Sequence, residues 1–509
     1  MNPIESAEKF LQTGEKFRLG HLVTEQPHPL TSNLSDLVAT NLSEAINMLK
    51  QVDLLALQKF SNYLSEVKQL NQSIKKVLAS NGRIFFCGCG ATGRLSLTLE
   101  HLWRKINKSS ERVQAFMAGG DVALVHAIEG FEDFPEFGAN QLMQLGFSQN
   151  DLLIAITEGG ETPFVIGAIE KATKVSQHKP YFLYCNPRND LIRTVERSRN
   201  VIENPDIINL CWEVGPMGLA GSTRMQASTV LEWGAGLALF LELEEIEDAH
   251  KNLIENYKKL SMESLVHFIE IESSFYNKNE LIHYFVDDFA ITTFTDTTER
   301  APTFSLQAFA PLEGNISKFS LSYISIIGTQ SAEEAWQALL SRKPHCLDWQ
   351  GKNQLSYDYL YRFDFSEQAY LKRKKLSNLN VHKFTLKKES REICLDINQE
   401  VKFNISLDSE FSLLEHLILK MILNIHSTLV MGKLGRYKNN LMTWVKPSNG
   451  KLIDRASRYV MHLLEYDGHV VSYEDVVNNL FKVMPEITST DSIVLETYKF
   501  IKTNINMEF

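Results

Sequence analysis

Residues 82–95 read GRIFFCGCGATGRL, and the fold class follows from how this stretch changes character. Ile84, Phe85 and Phe86 form an apolar run of β-type residues, the composition turns small at Gly88, and a helix-like segment begins at Arg94. A strand, a tight loop and a helix start are therefore expected in succession. Gly88, Gly90 and Gly93 let the backbone turn sharply and approach a ligand. The first amides of the following helix have no intrahelical partner, so together with the positive end of the helix dipole they can hold an anion. A phosphate is the natural candidate. The same glycines satisfy the G-x-G-x-x-G spacing of dinucleotide folds, which also calls for an acidic residue at the end of the next strand. That strand, Val113 to Met117, ends in Ala118-Gly119-Gly120, with Asp121 close by. A dinucleotide site and a purely structural glycine turn stay open beside the phosphate site.

Outward from this stretch, strand and helix patterns alternate. The strands expected are Ile84 to Cys87, Val113 to Met117, Leu152 to Ile156, Tyr181 to Tyr184 and Ile207 to Trp212. Such alternation predicts an α/β fold, a doubly wound parallel sheet of the flavodoxin-like kind, with ligands bound at the carboxyl ends of the strands. Thr92, the TEGGET segment Thr157 to Thr162, and GPMGLAGSTRM, Gly215 to Met225, fall at those ends. Upstream, Phe60, Leu64, Val67, Ile74 and Val77 recur at helical spacing and predict one amphipathic helix from Leu54 to Leu78. Residues 1–50 read as helical and polar, with a break at Gln26-Pro27-His28-Pro29.

At 509 residues the chain exceeds what one hydrophobic core commonly serves, so two or three domains are expected. With 44% apolar and 22% charged residues it reads as a soluble globular protein rather than a disordered one. A net charge of -10 argues against nucleic-acid or anionic-membrane partners, so an anionic ligand would need local positive donors. The six cysteines, at 87, 89, 185, 211, 346 and 394, show neither a C-x-x-C pair nor zinc spacing. Free thiols in a reducing cytoplasm are expected, and neither a metal nor a cofactor is called for. The segment MNPIESAEKF lacks the pattern of a signal peptide. The apolar run Leu413 to Met431 carries Glu415, His416, Lys420, Asn424 and His426, which predicts a core helix rather than a membrane span. A cytoplasmic location follows as an expectation.

Six ordered segments then carry a specific resemblance: GCGATGRL (88–95), MAGG (117–120), AIEGFEDF (127–134), TPFVIGAIE (162–170), YCNP (184–187) and VGPMGLAGSTRM (214–225). Together they resemble the sugar-isomerase (SIS) domain of N-acetylmuramic acid 6-phosphate etherases and the glucokinase regulatory protein. The etherases have one such domain per chain and the regulatory protein has two in tandem. Here an apolar segment from Asn279 leads into DTTERAPTFSL (296–306) and a strand-like Leu321 to Ile327, similar to the opening of a second SIS domain. It lacks a glycine loop, so the second domain is expected to be degenerate, acting like the second subunit of a dimeric etherase and supplying packing and one ligand contact. Residues 429–456 resemble the segment that follows the last SIS domain in both relatives. The layout implied is a helical segment 1–53, a ligand-binding SIS domain 54–248, a second SIS domain 249–456 and a helical tail 457–509.

The resemblance also implies a site. Thr92 stands where relatives carry a serine that binds the sugar phosphate, with the amides of Gly90, Ala91, Thr92 and Gly93 around it. Thr157 matches a second hydroxyl position, and Gly159 and Ser222 join the substrate-binding set. Lys451, in SNGKL, matches a lysine brought to the phosphate; on the residues alone it reads as a solvated surface lysine. Two departures are visible: Glu158 and Glu161 would repel a phosphate if they faced it, and Gln226 replaces a lysine. Etherases of this family use one glutamate to remove the C2 proton and another to protonate the departing lactyl oxygen. Glu132 matches the base, with Glu129 on nearly the same face if the segment is helical; on the residues alone Glu132 is a helix-start carboxylate favoured by the dipole. The acid position is Leu102. Glu100, two residues away, would be rotated by about 200° on a helix and point elsewhere, which leaves His101 or another group to supply the proton. The regulatory protein lacks that acid too. The function implied is a sensor or regulator that binds a phosphorylated hexose or amino sugar, with a sugar kinase as the partner this reading suggests. The alternatives are an etherase or sugar-phosphate isomerase using Glu132 as base, and an interaction scaffold without ligand.

Overall fold

β1 (Ile84–Gly88) lies one strand in from the edge of a five-stranded sheet with β2 (Val113–Met117), β3 (Leu152–Ile156), β4 (Tyr181–Tyr184) and β5 (Ile208–Cys211). The computed structural model describes residues 6–13, 19–108, 110–128, 130–313, 316, 318–347, 349, 353–407, 409–447, 449–488 and 491–507. The strand order is β2-β1-β3-β4-β5 and every pairing is parallel. From β1 the chain steps outward to β2, then returns to the other side of β1 as β3, so the order reverses between β1 and β3. In sheets of this kind the loops at the carboxyl ends of two such strands run apart, and the crevice between them is where ligands bind. Both strands are buried along their whole length, which is why they read as continuous apolar runs. The helix Ala91–Ile106 starts three residues before Arg94.

The second sheet has the order β10-β9-β8-β6-β7, formed by β6 (Leu281–Val286), β7 (Ser322–Ile326), β8 (Val381–Glu389), β9 (Glu392–Ile397) and β10 (Val401–Ser406). β7, β6 and β8 are parallel, but β8–β9 and β9–β10 are antiparallel. The expectation of a second fully parallel sheet is thus corrected to a mixed one. Only Ser390 and Arg391 separate β8 from β9, and Asn398, Gln399 and Glu400 separate β9 from β10, with positive φ at Ser390, Asn398 and Gln399. Connections this short can join only antiparallel neighbours.

The expected helix Leu54 to Leu78 is two helices, Leu42–Phe60 and Leu64–Ala79, with a 3-10 turn over Ser61–Tyr63. Both halves bury apolar residues at helical spacing, so the periodicity carries across the break. The boundaries expected at 53, 248 and 456 fall inside the helices Leu42–Phe60, Ile246–Lys259 and Gly450–Tyr466. Buried apolar residues instead form one continuous cluster through both sheets. At its centre lies the helix Ser412–Lys433, packed against Leu42–Phe60, Gln226–Phe240, Leu265–Asn277 and Ala290–Phe304. It is long and apolar enough to cross a membrane and is wholly buried inside the protein, the pattern of a helix covered on all sides. Most of its polar residues are hydrogen-bonded: Glu415 with Lys388, His416 with Thr292, and Asn424 and Ser427 with Asp296, while His426 makes no hydrogen bond among the described residues and lies 3.3 Å from the Glu272 carboxylate.

Candidate functional site

The glycine loop sits at the carboxyl end of β1. Gly90 is the N-cap of the helix Ala91–Ile106, has φ 53°, and no side chain caps that helix. A Cβ on Gly88 would lie 2.3 Å from the Thr92 backbone, and one on Gly93 2.4 Å from Met117 Cβ. The loop can close this tightly only with glycine at both positions. Thr92, expected to offer its hydroxyl to a phosphate, uses it inside the loop: Oγ1 accepts from Cys89 N (3.0 Å) and donates to Cys89 O (2.9 Å). It therefore braces the amide cradle. Thr157 likewise shares a hydrogen bond with Thr162 (2.9 Å between hydroxyls). Ser222 is buried, and its Oγ has no partner among the described residues.

Lys451 does reach this crevice. It lies in the first turn of the helix Gly450–Tyr466, capped by Asn449. That helix is held by Tyr459 donating to the Ala220 carbonyl (2.7 Å) and by Arg455 paired with Glu25 (2.8 Å). Lys451 Nζ donates to Glu161 Oε1 at 2.9 Å. Glu161 also receives the Arg197 guanidinium. Burial alone would raise the Glu161 carboxyl, but Lys451 and Arg197 outweigh it and pull it down to about 2. Lys451 in turn is raised, chiefly by Glu161.

Glu158, three residues earlier, goes the other way. Its Oε1 accepts from Ser228 Oγ at 2.8 Å, and burial pushes its pKa up to about 7, with Glu299 adding to the rise. The acidic TEGGET loop is thus less hostile to an anion than its sequence suggests. One carboxylate is neutralised by two cations, and the other is partly protonated at neutral pH.

Glu132 lies in an exposed turn before the helix Pro135–Gln144, not on a helix as the dipole reading requires. Its Oε2 accepts from Cys89 Sγ at 3.2 Å, which sets it at the mouth of the glycine loop. The Cys89 thiol is raised well above its usual range by burial, then by Glu132, with Glu158 contributing and Lys451 opposing. Cys89, Glu132, Glu158 and Lys451 therefore share one locality. Glu129 lies outside the described residues. Gly159 forms part of the same rim, its carbonyl accepting from Asn186 (3.1 Å).

The expected donors on the loop helix lie elsewhere. Leu102 is in the core. Glu100 turns away, as its helical position predicts, into buried ion pairs with Arg104 and Arg342 (2.9 Å each). His101 faces Ser341 (3.1 Å) and His416 across the contact between the two halves, and burial lowers its pKa to about 3. That removes His101 as a proton donor to the crevice. Asp121, the acid nearest to a ribose-binding position, is bound by Arg342 and by the His345 amide, 2.5 Å each, and so is turned away from a ribose at that position. Gln226 is also withdrawn: it donates to Asp53 (2.6 Å) and accepts from Gly218 N (3.0 Å). Lys420 of the central helix holds the adjacent Arg224 carbonyl at 3.0 Å.

Sequence reasoning missed Glu299. Within DTTERAP, Asp296 pairs with Arg224 (2.8 Å), Arg300 with Glu272 (3.1 Å), and Glu299 with Arg94 beside the glycine loop. A Cβ placed on Gly90 would lie 3.9 Å from Glu299 Oε1, so the second half supplies a carboxylate to the rim. The available signal was the i, i+3, i+4 spacing of these charges on one helix. No cluster suited to a metal ion occurs among the described residues.

The glucokinase regulatory protein N-terminal SIS domain matches residues 66–173. N-acetylmuramic acid 6-phosphate etherase from Synechocystis sp. is 33% identical over 212 residues, 42% of this chain and 65% of that protein. Its counterpart from Actinobacillus pleuropneumoniae is 30% identical over 237 residues, 46% of this chain and 73% of that protein. The chain therefore spans between about two thirds and three quarters of the length of these relatives. The chain belongs to the N-acetylmuramic acid 6-phosphate etherase family of SIS-domain proteins. It also resembles the glucokinase regulatory protein, through the N-terminal SIS domain of that protein.

Proposed function

We propose that the crevice between β1 and β3 binds a phosphorylated amino sugar and eliminates a lactyl ether from it, with Glu132 as the base. The observation that carries this reading is the placement of Glu132 at the mouth of an uncapped glycine loop, hydrogen-bonded to Cys89 and in the same locality as Lys451. A phosphate on the loop amides, with Lys451 as counter-charge, would leave the sugar carbons facing the Glu132 carboxylate. The names of the relatives favour this etherase reading over the regulator favoured from sequence.

The test is lactate release from N-acetylmuramic acid 6-phosphate. The wild type is expected to release lactate. Glu132→Gln should lower the rate by about 10²–10⁴-fold, the usual weight of a general base, while keeping the rise in melting temperature that the ligand causes.

A second reading, a sugar-phosphate-responsive regulator, is favoured by the burial of Leu102 at the acid position. A melting-temperature rise without lactate release would support it, and binding of a sugar kinase would then be worth assaying. No rise with any sugar phosphate, and none altered by Lys451→Ala, would leave the interaction scaffold.

A further inference from the structure

With Leu102 in the core and His101 and Glu100 held elsewhere, the elimination needs another proton donor. The candidates are the acidic groups around the glycine loop. Glu132 must be ionised to act as base. Glu161 is held between Lys451 and Arg197, and Glu299 is paired with Arg94. The Cys89 thiol gives its hydrogen to Glu132 and is a weakened acid. Glu158 differs from all of these: its hydrogen-bond donors among the described residues are neutral, Ser228 Oγ and its own backbone N–H.

We propose that Glu158 is the general acid, the group that protonates the departing lactyl oxygen from the carboxyl end of β3. This rests on the elimination reading above. In the step, Glu132 takes the C2 proton, the C2–C3 double bond forms, and the C3–O bond breaks with its electron pair going to the lactyl oxygen. That oxygen takes the Glu158 proton and leaves as the lactate hydroxyl. Glu132 ends protonated and Glu158 ionised, so one proton passes from carbon to oxygen and no further reactant is needed.

The surroundings suit the role. Glu158 is 9% exposed. The charged and titratable groups around it are Glu299 on the helix Ala290–Phe304, Lys451 on Gly450–Tyr466, Cys89 after β1 and Cys185 after β4. Burial and Glu299 raise its pKa to about 7, against the pull of Ser228 and Lys451. An acid so poised is protonated in a useful fraction of molecules at neutral pH.

The test compares the full-length wild type with Glu158→Gln on two substrates: N-acetylmuramic acid 6-phosphate, and the 3-deoxy-3-fluoro analogue of N-acetylglucosamine 6-phosphate, whose fluoride leaves without a proton. Glu158→Gln should lower lactate release by about 10²–10⁴-fold yet leave fluoride release and C2 deuterium exchange within about threefold of wild type. Glu158→Gln keeps the side-chain shape and the bond from Ser228, so folding should be retained; a melting temperature no lower than that of wild type checks this. Ser228→Ala removes a bond that stabilises the ionised form and should move the alkaline limb of the kcat profile upward. Parallel loss of lactate and fluoride release in Glu158→Gln, lactate release within threefold of wild type, or an unmoved limb in Ser228→Ala would overturn the assignment. Wild type that releases neither lactate nor fluoride and exchanges no C2 proton would overturn the elimination reading itself.

Discussion

The two halves of the chain place the same local unit, a strand followed by a loop and a helix, in contact with one another and use it differently. In the first half β1 turns through Cys89 and Gly90 into the helix Ala91–Ile106. In the second, β6 turns through Asp287, Asp288 and Phe289 into the helix Ala290–Phe304. Where the first has Gly90 as N-cap, the second has Phe289, which is 1% exposed. A helix start can receive an anion only if its amides are open and nothing negative precedes them. The second unit has at that position Phe289, buried against His416, preceded in sequence by two carboxylates, Asp287 and Asp288. Its helix packs against the first and sends Glu299 and Thr298 to Arg94. The second unit thus lines the first unit's glycine loop, with Glu299 beside Gly90 and Arg94.

The largest effect expected is on the charges that join the halves. Arg342 sits between Glu100 and Asp121, all three at most 7% exposed. Arg342→Met would leave the buried Asp121 without its cation and Glu100 with Arg104 alone, and should destabilise by about 3–5 kcal/mol, read from denaturant unfolding. If the halves were joined mainly by apolar packing, the loss would be far smaller.

The loops themselves should respond unequally. Gly88→Ala forces a Cβ against the Thr92 backbone and should cost about 2–4 kcal/mol as well as the sugar-phosphate response. Asp288→Ala, in the corresponding loop of the second half, removes only an exposed pair with Lys105 and should change stability by no more than about 1 kcal/mol. Equal effects would break the comparison.

A smaller effect separates the two glutamates of TEGGET by pH. Glu161 is pulled down to about 2, so its contribution is present above its unfolded value near 4.5 and is lost as pH falls from there toward 2. Glu158 is pushed up to about 7, so the folded state binds the extra proton and stability declines as pH rises from about 4.5 to 7. Glu161→Gln should flatten the acid side of the stability profile and Glu158→Gln the neutral side, each by about 1–3 kcal/mol at most, measured by denaturant unfolding from pH 3 to 8.

Much of this was legible locally. The strands of the first sheet lie within a residue or so of where apolar runs placed them, because a strand buried on both faces announces itself in four or five consecutive residues. The glycine loop and the core nature of Leu413 to Met431 were readable for the same reason. The hairpins of the second sheet were missed, although β9 buries every second residue, since half-exposed strands carry a weaker signal. The expected boundaries fall within helices of one continuous apolar core that runs through both sheets.

By itself, then, the sequence determined where the backbone could turn, which runs had to be buried, and that an uncapped helix start would follow β1. Tertiary structure alone decided which charges meet. Lys451 reaches Glu161 across 290 positions, and Arg342 reaches Glu100 across 242. The pKa of each group depends on its partner and its burial, not on its neighbours in the chain. Two glutamates three residues apart therefore end with opposite shifts, one against two cations and the other against a serine hydroxyl.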